Sequence, residues 1–104
     1  MNIVAVTACP AGLAHTYMAA EAIKRAAQRM GHTIKVETQG SMGLRGELTP
    51  AEIAAADIVM FCVDMAVAKV ERFNGRKIFR CTVAAAVRDA TGCVNGAVAA
   101  AQQG

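Results

Sequence analysis

Two short apolar runs, at positions 3–8 and 57–63, constrain the fold of this chain more than any other feature. Each run has the length of a strand and is almost free of polar side chains. Strands that are apolar at nearly every position are typical of parallel sheets, because helices cover both faces of such a sheet. We therefore predict that these two strands lie in the middle of a parallel sheet.

The first half of the chain adds a long helix, a second strand and a short helix. Residues 14–30 have helical periodicity, with apolar side chains on one stripe and charged ones on the other, and Gly31 is a fitting end. Residues 33–38 alternate between apolar and polar, which is typical of an edge strand. Thr49 and Glu52 form a predicted capping box, so a short helix starts there.

The second half of the chain predicts one more strand between two helical segments. Asp64 is predicted to cap a helix that runs to Phe73. Residues 77–80 have the character of a short fourth strand. Residues 82–102 are rich in alanine and predicted to be helical, with a break near residues 91–92.

Strands and helices thus alternate along the chain, which indicates a parallel sheet built from right-handed crossovers. We predict an α/β fold: a three-layer α/β/α doubly wound domain with a four-stranded parallel sheet in the order 2-1-3-4. Residues 1–104 would form this single domain, with 82–104 as its C-terminal helical segment. Ligands of such sheets bind at the switch point, here between strands one and three, where Cys9 leaves strand one.

The turn after strand one has the features of an anion site. Gly12 allows a tight turn, and the first amides of the following helix have no intrahelical partner and lie at its positive end. Pro10 has no amide hydrogen to donate, while Thr7 and Thr16 offer hydroxyl groups. The candidate amide donors are those of Ala11, Gly12, Leu13, Ala14, His15 and Thr16.

Cys9 is predicted to be a nucleophile in this setting. Helix N-termini lower the pKa of thiols, and the thiolate is the reactive form. Amides that stabilise a thiolate would also hold the oxygens of a phosphoryl group on sulfur. The alternative is that Cys9 is a small core residue, as Cys62, Cys81 and Cys93 are expected to be. His15 is either an ordinary first-turn residue or a group that orients the loop or contacts phosphate.

Two motifs give the chain a family resemblance. Residues 6–22, V-T-A-C-P-A-G-L-A-H-T-Y-M-A-A-E-A, resemble the T-A-C-P-T-G-I-A-H-T-F-M-A-A-E-A motif of the fructose-type enzyme IIB of the bacterial sugar phosphotransferase system. Residues 36–43, V-E-T-Q-G-S-M-G, resemble the V-E-T-Q-G-S-x-G motif of the same family. One departure is Ala11, which stands where the family usually has threonine, so one hydroxyl near the phosphate is missing.

This resemblance implies a phosphoryl carrier without a cofactor or metal. Enzyme IIA would donate phosphate from a phosphohistidine, and Cys9 would become phosphocysteine. The membrane permease, enzyme IIC, would then present fructose or a fructose-like sugar as the acceptor. The implied activity is that of a protein-Nπ-phosphohistidine–sugar phosphotransferase, in which residues 10–16 match the phosphate loop of the family.

A glycine-rich loop follows the second predicted strand. Its simplest interpretation is a surface connection over residues 39–46. Because strands one and two are predicted to be neighbours, a second interpretation places Gln39 and Ser41 beside the phosphate loop as accessory residues.

Composition and charge indicate which classes of partner and which cellular compartment to expect. Its net charge of +3 is spread along the chain without a basic cluster, which argues against nucleic-acid binding and weakly favours an acidic protein partner. Neither a signal peptide nor a membrane-spanning stretch is evident, so we predict a cytoplasmic protein that meets the inner membrane only through enzyme IIC. The four cysteines would then be reduced, and no C-x-x-C spacing indicates zinc.

Three other functions compete with the phosphoryl carrier. A low-molecular-weight tyrosine phosphatase would need C-x5-R, but the sixth residue after Cys9 is His15. A response-regulator receiver or a nucleotide-binding domain would need an acidic cluster or a G-x-G-x-x-G turn after strand one. A redox-sensing thiol would be expected to have a resolving cysteine, and none is near Cys9 in sequence.

Overall fold

The computed structural model describes residues 1–10, 13–40 and 43–103. Strands and helices alternate along most of this chain. In order they are β1 (Asn2–Ala8), α1 (Leu13–Arg29), β2 (Thr33–Gly40), β3 (Gly43–Arg45), α2 (Pro50–Ala55), β4 (Ile58–Val63), a 3₁₀ helix (Val70–Phe73), β5 (Ile78–Cys81), α3 (Val83–Arg88) and α4 (Ala90–Gln102).

The strands within the described residues form a five-stranded sheet in the order β3-β2-β1-β4-β5. The four parallel strands, β2-β1-β4-β5, have the predicted order 2-1-3-4. The prediction of a four-stranded, wholly parallel sheet was wrong, because β3 pairs antiparallel with the end of β2. Gly43, at the start of β3, and Gly46, just after it, have φ values of 100° and 66°, which glycine adopts without strain.

Helices cover both faces of the sheet unequally. One face packs on α1, α3 and α4, whose many buried alanines allow close approach to strand residues such as Ile3, Ala5 and Met60. The other face, which includes Val4, Val6 and Phe61, is covered by α2 and the 3₁₀ helix. There Phe73 packs edge-on against Phe61, with ring centroids 5.1 Å apart. The predicted three-layer arrangement is therefore present, with one thin outer layer.

Several local predictions are confirmed. Helix α1 ends before Gly31, which has a φ of 83°. Thr49 caps α2, and the reciprocal bonds between Thr49 and Glu52 complete the capping box.

One helix prediction was wrong, and one predicted helix break lies two residues earlier than expected. Asp64 does not start a helix, and only the 3₁₀ turn Val70–Phe73 forms before the next strand, because Asp64 and the Ala68 backbone bond to other parts of the chain. The C-terminal helices separate at Asp89 rather than at residues 91–92. The Asp89 side chain accepts from the Gly92 amide at 3.0 Å and so caps α4.

Candidate functional site

Cys9 lies directly after β1, at the point where the chain leaves the centre of the sheet. Ala8, the last residue of β1, is in register with Gln39 of β2 and Val63 of β4. The chain passes from β1 to β2 on one side and then returns across β1 to β4 on the other side, so Cys9 is at the predicted switch point. The Cys9 side chain is only 5% exposed.

Two polar side chains flank the Cys9 thiol. Its Sγ lies 3.9 Å from Nδ1 of His15 and 3.7 Å from Oδ2 of Asp64. His15 is exposed on the first turn of α1, so the ring is available to solvent and to a bound group. The structure thus brings the Cys9 thiol close to the His15 ring and to a carboxylate.

The other residues of the predicted phosphate loop have different environments. Pro10 and Ala14 are exposed, and Thr16 is fully buried. Leu13 is the first residue of α1. Ala11 and Gly12 lie outside the described residues.

Asp64 is the site residue that sequence reasoning missed. It follows β4, and its backbone amide donates to the Ala8 carbonyl at 2.9 Å, beside Cys9. Its Oδ1 accepts from the Val83 amide at 3.2 Å, across the sheet edge. The predicted adjacency of strands one and three could have indicated this position, since both strands end at the same edge of the sheet. The local sequence instead indicated that Asp64 caps a helix.

Of the predicted accessory residues, Thr7 and Gln39 lie inside the fold and Ser41 lies outside the described residues. Thr7 is buried in β1 between Thr38 and Cys62, and its hydroxyl has no hydrogen-bond partner among the described residues. Gln39 accepts from the Ala68 amide at 2.9 Å and donates to the Ala68 carbonyl at 3.2 Å. It holds the segment after β4 in place.

Gln39 belongs to a buried group, here called the Glu37 clamp, of Glu37, Gln39 and Arg72. The Glu37 carboxylate accepts from Arg72 at 2.8 and 3.0 Å, from the Gln39 amide at 2.7 Å and from the Leu48 backbone at 2.9 Å. Burial disfavours the charged carboxylate, but these donors outweigh it, and the pKa of Glu37 is lowered. The hydrogen bond to Glu37 likewise raises the pKa of Arg72. The clamp therefore remains an ion pair near neutral pH.

The remaining cysteines form a separate thiol cluster, consisting of Cys62, Cys81 and Cys93. Cys81 lies beside Cys62 on adjacent strands, with the two sulfur atoms 3.1 Å apart. The hydrogen bond to Cys62 and burial raise the pKa of Cys81 far above its usual range. Burial and the contact with Cys81 raise the pKa of Cys93 to about 12. Cys81 and Cys93 therefore remain protonated at neutral pH, as expected for core residues.

The described residues contain neither a candidate metal cluster nor a helix that could cross a membrane. Across residues 1–10, 13–40 and 43–103, no three histidine, cysteine or acidic side chains cluster in a way that could hold a metal ion. A membrane-crossing helix is also absent there, since none combines the necessary length and apolar character.

Comparison with known proteins matches the chain to IIB components of the PTS system. Residues 4–95 match the family described as PTS system, lactose/cellobiose specific IIB subunit. The chain is 52% identical over 89 residues to the PTS system fructose-like EIIB component 2 of Escherichia coli K12, covering 86% of this chain and 84% of that relative.

A longer relative and a solved structure extend these matches. The chain is 56% identical over 79 residues to the PTS system fructose-specific EIIB'BC component of Vibrio cholerae serotype O1, covering 76% of this chain but only 13% of that protein. The chain therefore spans a small part of that relative. A domain of fruA from Bacillus subtilis has a TM-score of 0.86 and 40% identity, with 96% of this chain and 95% of that domain covered.

Proposed function

Because the chain belongs to the enzyme IIB family of the bacterial sugar phosphotransferase system, and to its fructose type, we propose that it carries a phosphoryl group on Cys9. The observation that carries this proposal is the position of the thiol. Cys9 lies at the switch point of the sheet, immediately before the turn into α1, with His15 3.9 Å from its sulfur. A group transferred to this sulfur would meet the N-terminal end of a long helix.

The proposed reaction has two transfers. Cys9 attacks the phosphohistidine of enzyme IIA and becomes phosphocysteine. The sugar hydroxyl, held by the membrane enzyme IIC, then attacks the phosphorus and releases the thiol. Positioning and charge stabilisation supply most of the catalysis in such transfers, and residues 10–16 are proposed to supply them here. The protein would work in the cytoplasm, at the inner membrane, as the single enzyme IIB domain of this system.

The proposed acceptor is fructose or a fructose-like sugar. This assignment rests on the names of the relatives from Escherichia coli and Vibrio cholerae. The matched family description names lactose and cellobiose instead, so the acceptor needs a direct assay. Ala11, which replaces the usual threonine, removes a hydroxyl from the proposed phosphate loop and can alter the transfer rate.

A tyrosine phosphatase would need a different site. It would hold the phosphate with an arginine fork at the sixth position after the cysteine. That position is His15, which lies beside the thiol, and Arg72 is paired with Glu37. We therefore expect no turnover of small aryl phosphates.

Labelling by phosphorylated enzyme IIA tests the proposal directly. Incubation with a panel of phosphorylated enzyme IIA proteins should label the chain on Cys9, as located by peptide mass spectrometry. Cys9→Ser should lose this label, while the matched variant Cys93→Ser should retain it. Addition of membranes that contain enzyme IIC and different sugars should then identify the acceptor. Phosphate on another residue, or full labelling of Cys9→Ser, would contradict the assignment.

A further inference from the structure

Asp64 is held against the reacting sulfur by contacts on three sides. Its Oδ2 accepts from the Cys9 thiol at 3.7 Å, and its Oδ1 accepts from the Val83 amide at 3.2 Å. Its own amide is bound to the Ala8 carbonyl. These contacts join the ends of β1 and β4 and the start of α3, so the carboxylate has a defined orientation toward the sulfur.

The charge of Asp64 is the opposite of what phosphate binding needs. A carboxylate this close to sulfur repels a phosphoryl dianion. If the carboxylate takes up a proton as the S–P bond forms, the repulsion disappears at the moment when the dianion arrives. The geometry matches this use, because Oδ2 lies within hydrogen-bond distance of the Cys9 sulfur, at 3.7 Å.

We infer that Asp64 accepts the thiol proton of Cys9 during phosphoryl uptake, an inference that rests on the proposed carrier function. The S–P bond forms while the N–P bond of the donor histidine breaks, and the electron pair of that bond stays on the donor imidazole. The thiol proton moves to Oδ2 of Asp64. The donor ring reacts in the form that is protonated on its other nitrogen, so it leaves as neutral histidine. The reaction thus converts thiol, carboxylate and this protonated phosphohistidine into phosphocysteine, carboxylic acid and neutral histidine.

The surroundings of Asp64 permit the proton to leave again. Asp64 is exposed, so water can remove the proton before the next cycle. The titratable groups described around it are Cys9 after β1, His15 on α1 and Cys81 on β5. The pKa of Cys81 is raised by its bond to Cys62, by burial and also by the Asp64 charge, so this thiol does not compete for the proton.

The decisive variant is Asp64→Asn, which keeps an acceptor for the Val83 amide but cannot take a proton. Rapid-quench labelling by phosphorylated enzyme IIA should be about 100-fold slower at pH 7 than for the unmodified chain, within the usual range for a lost general base. The deficit should shrink as pH rises, because hydroxide then removes the thiol proton. Asp64→Glu should recover part of the rate. Glu71→Gln, an equal change of charge at an exposed position of the 3₁₀ helix, should label normally.

A second measurement separates chemistry from structure. Alkylation of Cys9 by iodoacetamide at pH 9 should be at least as fast in Asp64→Asn as in the unmodified chain, because an existing thiolate needs no base. Normal labelling of Asp64→Asn at pH 7, or a deficit that is constant at every pH, would overturn the role of Asp64 alone. Absence of Cys9 labelling in the unmodified chain would instead overturn the carrier function, and this inference with it.

Discussion

Glu37 and Asp64 lie on opposite sides of β1, and their burial and hydrogen bonds differ in a way that indicates a structural role for Glu37 and a chemical role for Asp64. Glu37 is fully buried, and both of its oxygens accept short hydrogen bonds from Arg72 and other donors. Asp64 is exposed and accepts only longer bonds from Cys9 and Val83 in the described structure. A buried carboxylate that accepts several short hydrogen bonds stabilises the fold, whereas an exposed carboxylate with fewer and longer hydrogen bonds can exchange a proton.

The largest expected effect comes from breaking the Glu37 clamp. Glu37→Gln leaves Arg72 with a buried, uncompensated charge. We expect a loss of about 3 kcal/mol in the free energy of unfolding, at the low end for a buried pair because Arg72 keeps some contact with water. Urea denaturation measures this change. The matched control is Glu47→Gln, which removes an exposed pair with Lys69 and should cost less than about 1 kcal/mol. Equal losses in the two variants would refute the distinction.

A second expected effect concerns the thiols rather than the acids. At pH 8, iodoacetamide should modify Cys9 at least about 100-fold faster than Cys93 in the native protein, because only the thiolate reacts. The pKa of Cys93 is raised to about 12, and that of Cys81 is raised further. Peptide mapping over a time course measures the rates. Comparable modification of Cys9 and Cys93 would mean that Cys9 belongs with the thiol cluster.

A smaller effect is expected when Gln39 is removed. Gln39→Ala loses the bonds to the Ala68 backbone and to Glu37, and we expect destabilisation by about 2 kcal/mol because buried polar groups lose partners. Phosphoryl labelling per folded molecule should change little if Gln39 only supports the segment after β4. A loss of labelling far beyond the loss of folded protein would instead favour direct contact with the phosphate.

The smallest and most gradual effect is the pH dependence of stability. The pKa of Glu37 is lowered in the folded state, since its hydrogen-bond donors outweigh burial. Its contribution is therefore fully present above the pKa of the unfolded carboxyl group and is lost as pH falls through the folded value. Urea titrations between pH 7 and pH 3 should show a steeper decline for the unmodified chain than for Glu37→Gln. Parallel curves would contradict this linkage.

The sequence predicted the parallel core of the fold because that information is local. Two apolar runs identified the central strands, and the turn after β1 located Cys9 and His15 at the switch point. Strand β3 was not predicted because three residues show no periodicity, and its position depends on pairing with β2, such as Leu44 with Gln39.

The misplaced residues depend on distant partners. The capping rule for Asp64 considered the residues that follow it, yet its carboxylate bonds to Val83, 19 positions further on. Gln39 is close to the site in topology, but its side chain bonds to Ala68, 29 positions away. Neither partner is recognisable from local sequence, because each appears only when β4 and its connections pack in three dimensions.

The paired bonds between Gln39 and Ala68 have a consequence of their own. A side-chain amide that both donates to and accepts from one residue imitates the peptide group of a neighbouring strand. Ala68 is thereby held as though it had joined a ladder, although no regular strand exists there. The hydrogen bonding of the sheet thus continues through one side chain into an irregular segment, and Ala68 anchors that segment four residues after Asp64.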